Sequence, residues 1–147
     1  MLSDVLGSLE GERVADLFSG SGVWGISLLS HGADRVEFFE GNRSSSRLIA
    51  SALEDLGAPQ RSWEVVPGPL PHTLEARGPY TLVVCDPPYS SLGLGREVVA
   101  EAAGRIASGG RLIVRWPGSE HLDSPYNGGS GECRVMGRDA LHLFGAP

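Results

Sequence analysis

Five short apolar runs, at 13–18, 35–39, 63–66, 81–85 and 111–116, are separated by segments whose apolar residues recur every three or four positions. This alternation is what most narrows the folds open to the chain. Runs of this length bounded by Gly, Pro and Asp read as short strands buried on both faces. The spacing predicts helices over 23–30, 44–56 and 96–107. In the second of these Leu48, Ile49, Ala52, Leu53 and Leu56 mark one face. Gly57 and Pro59 stop that helix, and Gly109-Gly110 follow the third. Strands alternating with helices give an α/β fold with a mostly parallel sheet and helices on both faces.

The tail reads differently. Runs at 133–136 and 140–144 are joined by Gly137-Arg138-Asp139, a hairpin signal, so the sheet is expected to end antiparallel. The stretch 117–130, with three Gly and two Pro, reads as a loop. At 147 residues a single domain, 1–147, is expected.

Two glycine- and proline-marked turns carry the chemistry. The first, Asp16-Leu17-Phe18-Ser19-Gly20-Ser21-Gly22, follows the first strand run. Gly20, Gly22 and Gly25 spell G-x-G-x-x-G, and Glu40 ends the second strand run, which together would suit a dinucleotide. An acid just before the turn disfavours that reading, because Asp16 would repel a pyrophosphate. S-adenosylmethionine carries an ammonium group and no phosphate, so a carboxylate at Asp16 suits it. Glu40 suits the two ribose hydroxyls of either cofactor. The plainer alternatives are a turn-capping carboxylate at Asp16 and a solvated strand end at Glu40.

The second turn is Asp86-Pro87-Pro88-Tyr89, directly after Leu82-Val83-Val84-Cys85. An exocyclic amine on a nucleobase is a poor nucleophile, because its lone pair is delocalised into the ring. Asp86 and the carbonyl of Pro87 can each accept one N–H and turn the nitrogen towards a methyl donor. Pro87 and Pro88 fix φ and preorganise those acceptors. Tyr89 offers a ring on which the base stacks. A base within a duplex cannot enter such a pocket, so the substrate is expected to be single-stranded, looped or flipped out.

Charge bears on the partner. The net charge of −6 is uneven: 1–57 carries four Arg against nine acidic residues, whereas 96–147 carries six of each, and no lysine occurs anywhere. No basic stripe of the kind that grips naked nucleic acid is visible. No apolar stretch approaches the roughly 20 residues that span a bilayer, and the first residues lack the pattern of a signal peptide. No membrane association and a cytoplasmic location are expected. Cys85 and Cys133 form no ligand-spaced cluster, so neither metal nor disulfide is expected.

With both turns in view, the chain resembles the class I S-adenosylmethionine-dependent amino-methyltransferases, in particular the RsmD-type family acting on guanine N2 of small-subunit ribosomal RNA. The resemblance rests on residues 14–22, Leu28-Leu29-Ser30-His31-Gly32-Ala33, Val36-Glu37-Phe38-Phe39-Glu40, Asp86-Pro87-Pro88-Tyr89 and Gly137-Arg138-Asp139-Ala140-Leu141, which together span nearly the whole chain. It implies a Rossmann-like, seven-stranded, mostly parallel sheet with an antiparallel C-terminal hairpin. It implies S-adenosylmethionine as cofactor, held by Asp16, Phe18, Ser19, Gly20, Ser21, Gly22, Glu40 and Leu70, and acceptor-base contacts at Asp86, Pro87, Pro88 and Tyr89. The partner it implies is ribosomal RNA within a small-subunit particle.

Three positions depart from the family's pattern. A basic N-terminal extension is usual, whereas the first strand here follows a short acidic lead, so an extension is expected to be shortened or absent. Pro67-Gly68-Pro69-Leu70 stands where an acidic residue near the adenine is usual, which is why Leu70 is assigned to the cofactor. Arg115-Trp116-Pro117 stands where a glutamate and a histidine are common, so the substrate-side wall is expected to differ. The tetrapeptide equally supports methylation of adenine N6 or cytosine N4, and a member that binds the cofactor without turnover is a further alternative.

Overall fold

The computed structural model describes residues 2–147, with side chains described from Asp4 onward. A one-turn helix α1 (Leu2–Leu6) precedes β1 (Arg13–Leu17), α2 (Val23–Ser30), β2 (Arg35–Glu40), α3 (Arg43–Asp55), β3 (Trp63–Pro67) and β4 (Tyr80–Cys85). There follow α4 (Leu92–Ala103), β5 (Ile106–Pro117), β6 (Gly131–Met136) and β7 (Asp139–Gly145). The seven strands form one sheet in the order β3-β2-β1-β4-β5-β7-β6. The first five are parallel, and β7 enters antiparallel between β5 and β6. The expected α/β sheet with an antiparallel C-terminal hairpin is therefore what the chain forms.

The pleat explains why the strand runs carry apolar residues on both faces. Along β1, Ala15 and Leu17 face one core with Val83, Cys85, Leu112, Val114 and α4 residues Val98 and Ala102. Val14 faces the other core, with Val36, Phe38, Leu82, Val84, α2 residue Leu28 and α3 residues Ile49 and Leu53. Helices thus cover both faces, and an alternating polar residue would be buried either way. Leu6 and Leu9 also join the second core, a contribution of the N-terminal lead that its acidic character concealed.

Several element boundaries and one helix face differ from the sequence reading: the helix expected over 96–107 begins at Leu92, directly after the 3₁₀ turn at Tyr89–Ser91. The fourth helix ends at Ala103, with Gly104 as its cap, rather than running to 107. Backbone pairing takes over there: the N–H of Tyr80 donates to the carbonyl of Arg105 at 2.8 Å, and β5 begins at Ile106. Gly109-Gly110 lie inside β5, where the register skips from Ile106 opposite Tyr80 to Arg111 opposite Leu82. Gly109 takes φ +80°, which a bulge of this kind requires and glycine supplies without strain. On α3 the buried face is Ser46, Ile49 and Leu53, whereas Leu48 and Leu56 are exposed. Neighbouring positions on a helix are about 100° apart, so Leu48 cannot share the Ile49 stripe. Among the described residues no helix is long and apolar enough to cross a membrane.

The strand order reverses between β1 and β4: the chain winds outward through β2 and β3, then returns to the other side of β1. Open parallel sheets take their ligands at the carboxyl ends of the strands flanking such a switch point. Asp16 lies at the end of β1 and Asp86 directly follows β4, so both chemistry-bearing turns open onto that crevice.

Candidate active site

The glycine turn is built to hold backbone close to a ligand. Ser19 N–H donates to the Phe39 carbonyl at 3.0 Å, and Gly22 N–H donates to the Ser19 carbonyl at 2.8 Å. Gly20 and Gly22 both take positive φ, and Gly22 opens α2. Phe18 also takes φ +59°, rare for a residue with a side chain and costing roughly 1–3 kcal/mol. That strain aims its ring into the crevice, where it lines both clefts described below. Gly25 serves packing instead. A Cβ there would stand 2.7 Å from Asp16 Oδ2 and collide with the Phe38 ring, so only glycine lets α2 sit on the sheet.

Asp16 is buried, and its Oδ2 accepts from the Gly25 N–H at 3.0 Å. Burial pushes its carboxyl up to about 7, partly offset by that N–H and reinforced by the negative charges of Asp86 and Glu40. Such a group gains from a cation placed beside it. Glu40 is held from both sides: Oε1 accepts from Gly20 N–H at 2.9 Å and Oε2 from Asn42 N–H at 2.7 Å. A carboxylate has about four acceptor positions, so two remain for hydroxyl donors.

Asp86, Pro87, Pro88 and Tyr89 leave β4 and enter a short 3₁₀ turn at Tyr89–Ser91. Pro87 is buried against the backbone of Gly95, where a Cβ would come within 3.1 Å of it, so α4 clamps the turn from behind. Burial raises the Asp86 carboxyl, and the nearby Arg115 guanidinium opposes the rise. Tyr89 is 41 % exposed, leaving its ring available to a planar partner.

Two clefts converge here. One, of about 430 Å³, is lined by Phe18, Glu40, Gly41, Gly68, Pro69, Leu70, Asp86, Pro88 and Leu94. The other, of about 290 Å³, is lined by Ser19, Gly20, Ser21, Val23, Trp24 and Arg115, together with Asp16, Phe18 and Asp86. Phe18 and Asp86 belong to both, so the clefts meet at the Asp-Pro-Pro-Tyr turn. The larger lies within the roughly 300–1,000 Å³ usual for small-molecule sites. Its apolar walls, Phe18, Leu70 and Leu94, face Glu40. Among the described residues the sole cation lining either cleft, Arg115, is paired with Asp139 and lies close to Asp86. A ligand with a flat apolar part, vicinal hydroxyls and positive charge suits this donor set, and a pyrophosphate does not. S-adenosylmethionine has all three features.

The candidate residues from the sequence reading line this crevice or belong to the two turns that open onto it. Gly41, Leu94, Val23 and Trp24 also line it and were not anticipated, since each is an ordinary loop or helix residue until the fold brings it there, whereas Gly68 and Pro69 lie in the stretch expected near the adenine. Arg115 stood out in the sequence as a departure on the substrate-side wall, and Asp139 as part of a hairpin and of the closing stretch that carries the family resemblance.

The family model described as conserved hypothetical protein 95 matches residues 1–126. Among solved structures, a conserved hypothetical protein from Streptococcus pyogenes superposes with a TM-score of 0.87 at 18% identity, covering 99% of this chain and 93% of that one. The Escherichia coli protein yhhF, a candidate methyltransferase, gives a TM-score of 0.85 at 23% identity, covering 99% and 83%. The Haemophilus influenzae protein HI0767, a candidate methylase, gives 0.84 at 18% identity, covering 98% and 92%. At these identities the likeness is one of fold. Among curated proteins none matches the sequence.

Proposed function

Because the chain belongs to the family described as conserved hypothetical protein 95, the RsmD family of S-adenosylmethionine-dependent methyltransferases, we propose that it methylates the exocyclic N2 of a guanine in small-subunit ribosomal RNA. One observation carries this reading: Asp86 and Pro88 of the acceptor turn line the same cleft as Glu40 and Leu70. A cofactor seated against Glu40 and a base seated on Asp86-Pro87-Pro88-Tyr89 would therefore share one cavity.

Bound S-adenosylmethionine supplies an electrophilic methyl group on a sulfonium. The chain's own residues do the rest. Glu40 accepts hydrogen bonds from the ribose hydroxyls, with its rotamer already set by Gly20 and Asn42. Phe18 and Leu70 flank the adenine. Asp16, Ser19, Gly20, Ser21 and Gly22 surround the amino-acid end, where the ammonium group favours ionised Asp16. On the acceptor side, Asp86 and the Pro87 carbonyl take the two amine hydrogens and point the nitrogen lone pair at the methyl. Proline at 87 and 88 keeps those acceptors from relaxing. Tyr89 stacks on the base. The proton lost by the methylated amine leaves to water, and no strong base is required.

The acceptor is read as RNA within a ribosomal particle because the chain, with net charge −6, offers little attraction to bare phosphate. Shape contacts in a particle would compensate. Nucleoside mass spectrometry of small-subunit RNA from cells with and without the gene tests this. Loss of N2-methylguanine is expected, and unchanged N2-methylguanine overturns the substrate. Loss of N6-methyladenine or N4-methylcytosine instead would assign the amine to adenine or cytosine.

A further inference from the structure

The acceptor turn is braced from outside its own strand. Tyr89 donates its phenol hydrogen to Asp139 Oδ1 at 2.8 Å. Asp139 Oδ2 accepts from Arg115 Nε at 3.0 Å and Nη2 at 2.7 Å. The same guanidinium sets Nη1 3.5 Å from Asp86 Oδ2. A single line of contacts, Asp86–Arg115–Asp139–Tyr89, thus leaves one end of the tetrapeptide and returns to the other. Its middle members come from the last parallel strand and from the antiparallel hairpin: Arg115 sits opposite Leu141, and Asp139 opposite Pro117, across the β5–β7 pair.

Resting on the amine-methyltransferase reading, we propose that Arg115 and Asp139 are positioning residues, whose ion pair fixes the Asp86 carboxylate and the Tyr89 ring in the mutual orientation that receives a planar amine. The contact geometry separates the two partners. Asp139 receives the short, two-pronged contact, whereas Asp86 receives only the long one, so Arg115 steadies Asp86 without filling the acceptor positions an amine needs. Without Asp139 the guanidinium is free to close on Asp86 and compete with the amine. Without Arg115, Asp86 and Asp139 face each other with nothing between their charges. The side chains of Arg115 and Asp139 are 38% and 22% exposed, and ion pairs so open to water add little to folding stability. A role in holding the site is the better account of so specific an arrangement.

The groups facing Asp86 are Asp16 at the end of β1, Glu40 across the cleft on β2, Arg115 on β5, Asp139 on β7 and Tyr89 in its own turn. The two pair members act on Asp86 with opposite sign. Arg115→Gln removes the cation that favours ionised Asp86, so the acid limb of kcat/KM moves to higher pH. Asp139→Asn removes a negative neighbour and releases Arg115, so the limb moves to lower pH. The Tyr89 phenol, pushed up to about 12 by burial and by its bond to Asp139, titrates lower in Asp139→Asn.

The decisive experiment uses the full chain, its Arg115→Gln and Asp139→Asn variants, and small-subunit particles as acceptor. In both variants we expect the Tm within about 4 °C of the parent, and in Asp139→Asn, whose residue lines neither cleft, S-adenosylmethionine affinity within about twofold. We expect kcat/KM for the acceptor to fall roughly 10- to 100-fold, with KM rising most in Asp139→Asn, and the acid limbs to move in opposite directions. Parent-like kcat/KM and unmoved limbs in both variants overturn the proposal while leaving the methyltransferase reading intact. Failure of the parent to methylate any amine overturns that reading. The brace is then still tested by Tyr89 titration, followed by NMR of ring-labelled tyrosine, and an unmoved titration in Asp139→Asn overturns it.

Discussion

The backbone N–H of Asp86 donates to the carbonyl of Leu17 at 3.3 Å, joining the turn after β4 to the last residue of β1. The two strands pair in parallel, with Leu17 opposite Cys85, so the glycine turn and the Asp-Pro-Pro-Tyr turn leave the sheet side by side. The two turns are thereby set in register by main-chain geometry before any side chain contributes.

Asp86→Ala should abolish transfer without emptying the cofactor site. Loss of the carboxylate removes one of the two amine acceptors and the alignment it enforces, which is expected to lower kcat by at least about 100-fold. Calorimetry should find S-adenosylmethionine affinity within about threefold of the parent, because Glu40 and the glycine turn are left in place. Near-normal turnover would refute its role.

Glu40→Gln should do the reverse. Charge-assisted hydrogen bonds are about twice as strong as neutral ones, so replacing the carboxylate is expected to weaken cofactor binding about tenfold, or about 1.4 kcal/mol. Turnover at saturating cofactor should change little. Isothermal calorimetry and single-turnover rates separate the two effects.

Asp16 should make both stability and binding depend on pH. Its carboxyl ionises near 3.8 in the unfolded chain and near 7 when folded. Between those values the folded protein holds a proton that the unfolded chain has lost. The stabilisation this gives is complete below about pH 4 and is lost as pH rises through 7. Urea unfolding of the ligand-free protein should show this decline, and Asp16→Asn should flatten it. A cationic ligand favours the ionised form, so S-adenosylmethionine affinity should rise with pH through about 7. Proton release on binding should appear as a buffer-dependent enthalpy.

Gly25→Ala should destabilise the fold at the site's own foundation. The added methyl group meets Asp16 Oδ2 and the Phe38 ring beneath α2, and overpacking of this kind costs roughly 1–3 kcal/mol. A fall in Tm of roughly 3–12 °C is expected in thermal unfolding.

Much of this architecture is legible along the chain because parallel strands buried on two faces leave unbroken apolar runs, as Leu82-Val83-Val84-Cys85 does. The start of β5 is not legible, because its first residues, Ile106 and Ala107, continue the helical spacing of α4 and only pairing with Tyr80 draws them into the sheet. The two turns announce themselves because each needs unusual residues in unbroken sequence. The brace does not: Tyr89 and Asp139 are fifty residues apart and Arg115 and Asp139 twenty-four apart, so their meeting depends on how β7 pairs with β5. Residues such as Leu94 and Trp24 likewise acquire a role only from the helix faces the fold turns towards the crevice.

The most direct test is a crystal structure of the protein with S-adenosylmethionine. The ribose is expected against Glu40 and the sulfonium methyl directed towards the Asp86–Tyr89 turn. A methyl group facing away from Asp86, or a cleft that takes a nicotinamide nucleotide in its place, would contradict the account.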